Sequence, residues 1–384
     1  MRQLVVGGTT RPLQWRLEQL DRLDAALSAH SDAVLEALAK DLGKPDVEAY
    51  FEVVAVRQEI SLCRRQLRRW IAPKKVSVPL SQRPGRAEVI AEPLGCVLII
   101  GPWNYPFHLA IQPLVSALAA GNTAILKPSE HAPATAQLIS SLIGETFPPE
   151  IVQVVQGDGS TAQALLAERF DHIFFTGGER IGKLVMAAAA QHLTPVTLEL
   201  GGKSPAVVMG DADLEVTSRR LVWGKCLNAG QTCIAPDYLL VERSARASLL
   251  QSLGERLTAC FGEEPLDSSD LASIVNETQY ERLSALLEQA RERGQILLGG
   301  TCDPESRRIA PTVIQVNDRE DPLMQEELFG PLLPILEVDG LIKRSSGSTN
   351  APNPSLSIYS AAPRRTKRRC STTPAPVVSA STMW

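Results

Sequence analysis

The sequence predicts an α/β protein built from two successive units, each a mostly parallel sheet with helices on both faces. Three observations carry this. Short apolar runs alternate with longer stretches whose apolar residues recur every three or four positions, the pattern of strands joined by crossover helices. Runs such as Val97-Leu-Ile-Ile100 are continuously apolar, as expected of strands buried on both faces. A chain of 384 residues is too long for one core, so two or three domains are expected.

Taken in order, residues 15–70 read as helices, with Leu17, Leu20, Leu23, Leu27, Val34, Leu35 and Leu38 at helical spacing and a break at Gly43-Lys-Pro45. The second part of this region holds Arg64, Arg65, Arg68 and Arg69, read as a solvated helix face in preference to an anion site. Pro73 to Gly85 reads as an exposed hairpin or linker arm, and Val89 to Ile100 as one strand. Pro102-Trp-Asn-Tyr-Pro106 is a rigid turn before a helix from Leu109 to Ala120, which Gly121-Asn122 ends. A short strand 124–126 and a helix 133–144 follow. Then come strand 151–155, helix 160–168, strand 172–176, helix 179–191 and strand 196–200. The second unit reads as strand 205–209, helix 213–227, a loop holding Cys233, strand 237–242, helices 244–260 and 276–293, strands near 295–298 and 309–316, and strand 332–338.

Composition excludes several function classes. The net charge of −4 is too mild for a general nucleic-acid binder. Seven widely spaced cysteines with no C-x-x-C fit reduced thiols of a cytoplasmic protein better than disulfides or a zinc site, and no metal site is expected. Neither a signal peptide nor a membrane span is expected, since no uninterrupted apolar stretch reaches the roughly 18 residues of a spanning helix.

The charge is unevenly placed. Residues 340–384 carry seven Lys/Arg and no acid, with nine Ser, five Thr and five Pro. Of 39 basic residues, 32 therefore precede this tail, against all 43 acidic ones, a net of −11. The tail has no clear helical or strand period, and its composition predicts disorder or loose packing.

Two glycine-flanked stretches carry the chemistry. Glu199-Leu-Gly-Gly-Lys-Ser-Pro205 offers a carboxylate and Asn228-Ala-Gly-Gln-Thr-Cys-Ile-Ala-Pro236 a cysteine. A thiol with a base and an oxyanion donor elsewhere outlines covalent thiol catalysis, although a lone buried cysteine is as often an inert packing residue. Ligands on parallel sheets bind beyond the strand C-termini, and polar signals sit there: Asn104, Lys127, Ser129, Glu130, Thr176-Gly-Gly178 and Glu199. No G-x-G-x-x-G follows the first sheet strand. Gly177-Gly-Glu-Arg-Ile-Gly182 could present a helix N-terminus to a pyrophosphate or be a plain helix entry. Lys127 and Glu130 could hold a ribose or form a surface ion pair.

Six motifs together resemble the aldehyde dehydrogenase superfamily, in its order and spacing: Gly101-Pro-Trp-Asn-Tyr-Pro106, Lys127-Pro-Ser-Glu130, Phe175-Thr-Gly-Gly178, Glu199-Leu-Gly-Gly-Lys-Ser-Pro205, Gly230-Gln-Thr-Cys-Ile-Ala-Pro-Asp237 and Glu326-Glu-Leu-Phe-Gly-Pro331. The 34 residues from Glu199 to Cys233 fit too. The short N-terminal region and Cys-Ile-Ala-Pro-Asp-Tyr look most like class 3, which includes fatty-aldehyde dehydrogenases. The resemblance implies an aldehyde dehydrogenase-like fold: a Rossmann-type NAD(P)-binding domain over 1–75 and 88–198, a bridging and oligomerisation hairpin at 76–87, and a catalytic domain over 199–339. A homodimer is implied as well.

The same resemblance implies site roles. Cys233 is the nucleophile that attacks an aldehyde, Asn104 with the Cys233 N–H holds the oxyanion, and Glu199 is the general base that releases the acid. Lys127, Ser129 and Glu130, with Thr176, Gly177, Gly178, Gly182 and Leu200, line the cofactor site. Glu327 holds the nicotinamide ribose and Phe329 lines the nicotinamide pocket. The carboxylate of Glu130 favours NAD, while Lys127 leaves NADP open. Cys226 and His108 match no catalytic position and read as structural. An acyl-transferring or semialdehyde-specific relative is a competing reading.

The family pattern stops after Val338-Asp339, where a relative continues for roughly another hundred residues. A reading-frame change near codon 340 is the expected cause. The competing expectation is a truncated, catalytically impaired chain that at most binds dinucleotide.

Overall fold

The computed structural model describes residues 1–339 and 357–359. Contacts divide the chain into Met1–Leu200 and a second unit that begins at Gly201.

The first unit opens with helices α1 (Arg2–Val6), α2 (Leu13–Ala29), α3 (Ser31–Leu42) and α4 (Asp46–Trp70). Their apolar stripe, including Leu20, Leu27, Val34, Leu38, Val53, Ile60 and Leu67, is buried in one core. Gly43 takes a left-handed φ of 59° and stops α3, and Pro45 starts α4 with Asp46 and Glu48 in its first turn, where acids suit the helix dipole. In the arginine cluster, Arg64 bonds Asp21 and Asp24 of α2, and Arg65, Arg68 and Arg69 are exposed.

Strands β1 (Lys74–Val76) and β2 (Ala87–Val89) form an exposed antiparallel pair. The single strand expected over 89–100 is corrected: β2 ends at Val89 and strand resumes only with β3 (Cys96–Ile100). Pro93 has no N–H to donate, and Gly95 sits at φ 141°, where a Cβ would fall 2.1 Å from the Asp171 carboxylate. Then follow α5 (His108–Ala120), β4 (Thr123–Lys127), α6 (Pro133–Thr146), β5 (Val152–Val154), α7 (Gly159–Ala167), β6 (His172–Gly177), α8 (Glu179–Ala190) and β7 (Val196–Leu200). All five sheet strands are parallel, in the order β5-β4-β3-β6-β7. Side chains of β3 alternate between faces. Val97 and Ile99 join the core under the N-terminal helices, while Cys96, Leu98 and Ile100 join the core that includes Val185 of α8.

The second unit contains β8 (Pro205–Val208), α9 (Leu214–Cys226), β9 (Tyr238–Glu242), α10 (Arg246–Phe261), α11 (Glu277–Glu292), β10 (Ile296–Leu298), β11 (Cys302–Asp303), β12 (Arg308–Ile309), β13 (Thr312–Val316), α12 (Pro322–Gln325), β14 (Leu332–Val338) and β15 (Ser357–Tyr359). Its six-stranded sheet runs β10-β13-β14-β9-β8-β15, parallel except for β10. The strand expected over 309–316 is split by Pro311 into β12 and β13. Ala206, Val208, Leu239 and Val241 pack into the main core, and Val207, Tyr238 and Leu240 point to the opposite face.

The expected character of residues 340–384 lies outside the described residues, except at 357–359. There the expected lack of strand is corrected, because β15 pairs parallel with β8 at the sheet edge. Ile358 and Tyr359 are good strand formers, but three residues are too few to show a period. No described helix is long and apolar enough to cross a membrane.

Candidate active site

In the first unit, β4 lies on one side of the central strand β3 and β6 on the other. Such a reversal opens a crevice beyond the strand C-termini. The expected polar positions lie at or just after those ends. Asn104, three residues after Gly101, is buried. Its backbone carbonyl accepts a hydrogen bond from the Lys44 ammonium at 3.0 Å. Lys44 is itself buried and paired with Glu52. The other Glu52 oxygen accepts the N–H groups of Phe107 at 3.1 Å and His108 at 2.9 Å, where α5 begins. Burial holds the His108 imidazole below its ordinary value, and its ring contacts Gln112.

At the end of β4, Lys127 is only 3% exposed and donates to Glu130 at 2.5 Å. The amine of this pair is buried and its carboxylate partly exposed. Burial works against the Glu130 charge, but the Lys127 hydrogen bond and charge outweigh it and leave the carboxyl below its ordinary value. Ser129 is buried, and its hydroxyl accepts the His131 N–H.

At the ends of β6 and β7, Thr176 pairs in register with Glu199, and Gly177 with Leu200. Glu199 is exposed. Gly178 caps α8 without any side-chain cap, and space is open where its Cβ would lie. Gly182, one turn on, is buried against β7, and a Cβ there would fall 2.9 Å from Leu200. Glycine at 182 lets helix α8 approach the sheet without displacing the Leu200 side chain.

In the second unit, α9 ends at Cys226 and the chain makes a left-handed turn through Asn228, Ala229 and Gly230, at φ 53°, 51° and 76°. Glycine is required at 230, since a Cβ would lie 2.3 Å from the Gly330 carbonyl oxygen. Gln231 is fully buried. Its amide donates to Asn228 O and Ser273 O at 3.0 Å, and its oxygen accepts the Val275 N–H at 3.0 Å. Cys233 follows on this anchored loop, half-buried beside the exposed Ile234.

Asp237 closes the loop. One of its oxygens accepts the Leu328 N–H at 2.9 Å, and the other pairs with Lys203. Lys203 also donates to the carbonyls of Leu323 and Glu326, at 2.9 and 2.8 Å. Glu327 accepts the Gly202 N–H at 3.0 Å. A Cβ at Gly201 would fall 2.0 Å from the Glu327 carboxylate, so glycine there allows the approach. Burial pushes the Glu327 carboxyl up to about 7. Burial also pushes the nearby Lys225 amine down to about 8. Phe329 is half-buried at φ 50°. Among the described residues no cluster of three His, Cys, Asp or Glu gathers for a metal.

The profile described as "Aldehyde dehydrogenase family" matches residues 9–343. The chain is 42% identical over 356 residues to aldehyde dehydrogenase family 3 member H1 of Arabidopsis thaliana, covering 92% of this chain and 74% of that protein. It is 43% identical over 341 residues to the "dimeric NADP-preferring" aldehyde dehydrogenase of Rattus norvegicus, covering 88% and 74%. A solved structure, the substrate-bound state of Staphylococcus aureus AldH, superposes with a TM-score of 0.92 at 41% identity, covering 96% of this chain and 80% of that one.

The chain belongs to the aldehyde dehydrogenase family. It is an oxidoreductase with the aldehyde dehydrogenase fold, as its motifs led us to expect. In the first unit of this aldehyde dehydrogenase, the expected residues Asn104, Lys127, Ser129, Glu130, Thr176 to Gly178 and Glu199 all lie at or just after the C-terminal ends of parallel strands. In the second, the Cys233 loop, the Lys203 segment and the Glu327 segment are joined through Asp237. Sequence reasoning missed the supports: Lys44, Glu52, Gln231 and the Lys203–Asp237 pair. Lys44 was read only as part of a helix break, and nothing local marks its partner, Glu52, in the second turn of α4.

Proposed function

We propose that this aldehyde dehydrogenase oxidises medium- or long-chain aliphatic or aromatic aldehydes to carboxylic acids, with NAD or NADP as cofactor and Cys233 as nucleophile. The observation that carries the reading is the placement of Cys233 on a loop pinned by Gln231 and Asp237 in a chain of this family. A fixed thiol lowers the entropic cost of attack. The class 3 motifs support the substrate range.

The residues of the first unit fit a dinucleotide. The N-terminus of α8 lacks a side-chain cap and has open space at Gly178, which suits a pyrophosphate. Lys127 and Glu130, bonded to each other at the end of β4, present a polar pair for the adenosine ribose. Glu327 and Phe329 are assigned to the nicotinamide end. When bound, the nicotinamide supplies the two-electron acceptor that aldehyde oxidation requires.

The protein's own groups do the rest. The Cys233 thiolate adds to the aldehyde carbon, forming a C–S bond while the carbonyl electrons move to oxygen. The Asn104 amide and the Cys233 N–H hold that oxyanion. After oxidation the acyl group is a Cys233 thioester. Glu199, whose exposure gives water access, takes a proton from the water that attacks the acyl carbon, and cleavage of the C–S bond returns the thiolate. The enzyme is read as a cytoplasmic homodimer. The widely spaced cysteines support the compartment, and the rat relative's description as dimeric supports the assembly.

The test is formation of NADH and NADPH with hexanal, decanal and benzaldehyde, with Cys233→Ala as control. Activity well above the control is expected with at least one aldehyde. Wild-type rates no higher than those of Cys233→Ala would sink the reading.

A further inference from the structure

We propose that Lys44 and Glu52 are positioning residues for the reaction, clamping the turn that carries Asn104. The proposal rests on the reading of Asn104 as an oxyanion donor. Both side chains are almost completely excluded from solvent. A buried ion pair is costly to desolvate and is often replaceable by apolar residues without loss of stability. This pair, however, directs its bonds onto one short segment. Lys44 donates to the Asn104 carbonyl at 3.0 Å and lies 4.1 Å above the Tyr105 ring. Glu52 takes the N–H groups of Phe107 and His108. The turn is therefore gripped at its middle by a cation and at its far end by an anion, and the two grips are bonded to each other.

The consequence is geometric. Pro102 and Pro106 restrict φ at two positions of the turn. The Lys44 bond orients the peptide leaving Asn104, and with it the direction of the Asn104 side chain. A misplacement of about 1 Å in a catalytic group can cost on the order of 100-fold in rate. The developing oxyanion is the species that senses such an error, and the bound aldehyde senses it less.

The experiment uses the full chain and three variants: Asn104→Ala, Lys44→Met/Glu52→Gln, and the triple combination. The Lys44→Met/Glu52→Gln pair leaves no unpaired buried charge, and glutamine keeps an acceptor for the α5 N–H groups. The readouts are near-UV circular dichroism, iodoacetamide labelling of Cys233, and the first-turnover rate of reduced-nicotinamide formation at varied decanal.

We expect a folded double variant with unchanged Cys233 labelling, a first-turnover rate reduced roughly 10- to 100-fold, and half-saturation by aldehyde within about threefold of wild type. In the triple variant the clamp changes should add less than about threefold to the Asn104→Ala loss, because residues acting as one unit are not additive. A wild-type rate in the folded double variant overturns the proposal, as does full multiplication of the two losses. Failure of the double variant to fold also overturns it, by making the pair architectural. If Asn104→Ala itself keeps the wild-type rate, it is the reading of Asn104 that fails.

Discussion

Lys203 and Asp237 form an ion pair whose side chains are 13% and 4% exposed. Through it the segment after Glu199, the loop after Cys233 and the segment 323–328 are bound to one another. Asp237→Ala strands a nearly buried ammonium and orphans the Leu328 N–H. It should lower unfolding free energy by about 3 kcal/mol. Urea unfolding checks this, and a loss under about 1 kcal/mol would show the pair to be idle.

The Glu327 carboxyl gives the folded chain a pH dependence. Burial raises it to about 7, against roughly 4.3 in an unfolded chain. Between those values the folded state keeps a proton that the unfolded state has lost. Its stability contribution is therefore full below the unfolded value, declines as pH rises, and is gone above about 7. Thermal scans should show wild type losing stability relative to Glu327→Gln as pH rises across this window. A constant difference from about pH 4 to 8 contradicts the raised value.

Gly230→Ala places a methyl group against the Gly330 carbonyl at a backbone φ of 76°. The left-handed conformation alone costs an alanine about 1–2 kcal/mol, and the clash adds to it. We expect lower stability and slower iodoacetamide labelling of Cys233 as its loop is displaced. Unchanged melting and labelling would mean that the turn is not rigid.

Glu199→Gln separates the two halves of the proposed reaction. It should keep the first turnover of reduced-nicotinamide formation and slow steady-state turnover by on the order of 100-fold or more. Loss of the first turnover as well would move Glu199 to the acylation step.

Much of the molecule was legible in its residues. Continuously apolar runs and helical periodicity report burial directly, so strands such as His172–Gly177 and helices such as Glu277–Glu292 could be read within a few residues of their ends. The misreadings are local. Pro93, Gly95 and Pro311 interrupt strands that apolar content alone extended, because backbone donors and φ matter there. Short pieces such as Arg2–Val6 and Cys302–Asp303 carry too few residues to show a period.

The sequence by itself determined the family, because the motifs that hold Asn104, Lys127, Glu130, Glu199 and Cys233 carry the signal in their residue types and order. The tertiary structure decided what holds those groups. Lys44 reaches the Asn104 carbonyl across 60 residues, Asp237 reaches Leu328 across 91, and Gly182 meets Leu200. A buried charge needs a specific partner and a crowded glycine a specific neighbour. Partners of that kind are set by how distant segments pack, which no local pattern records.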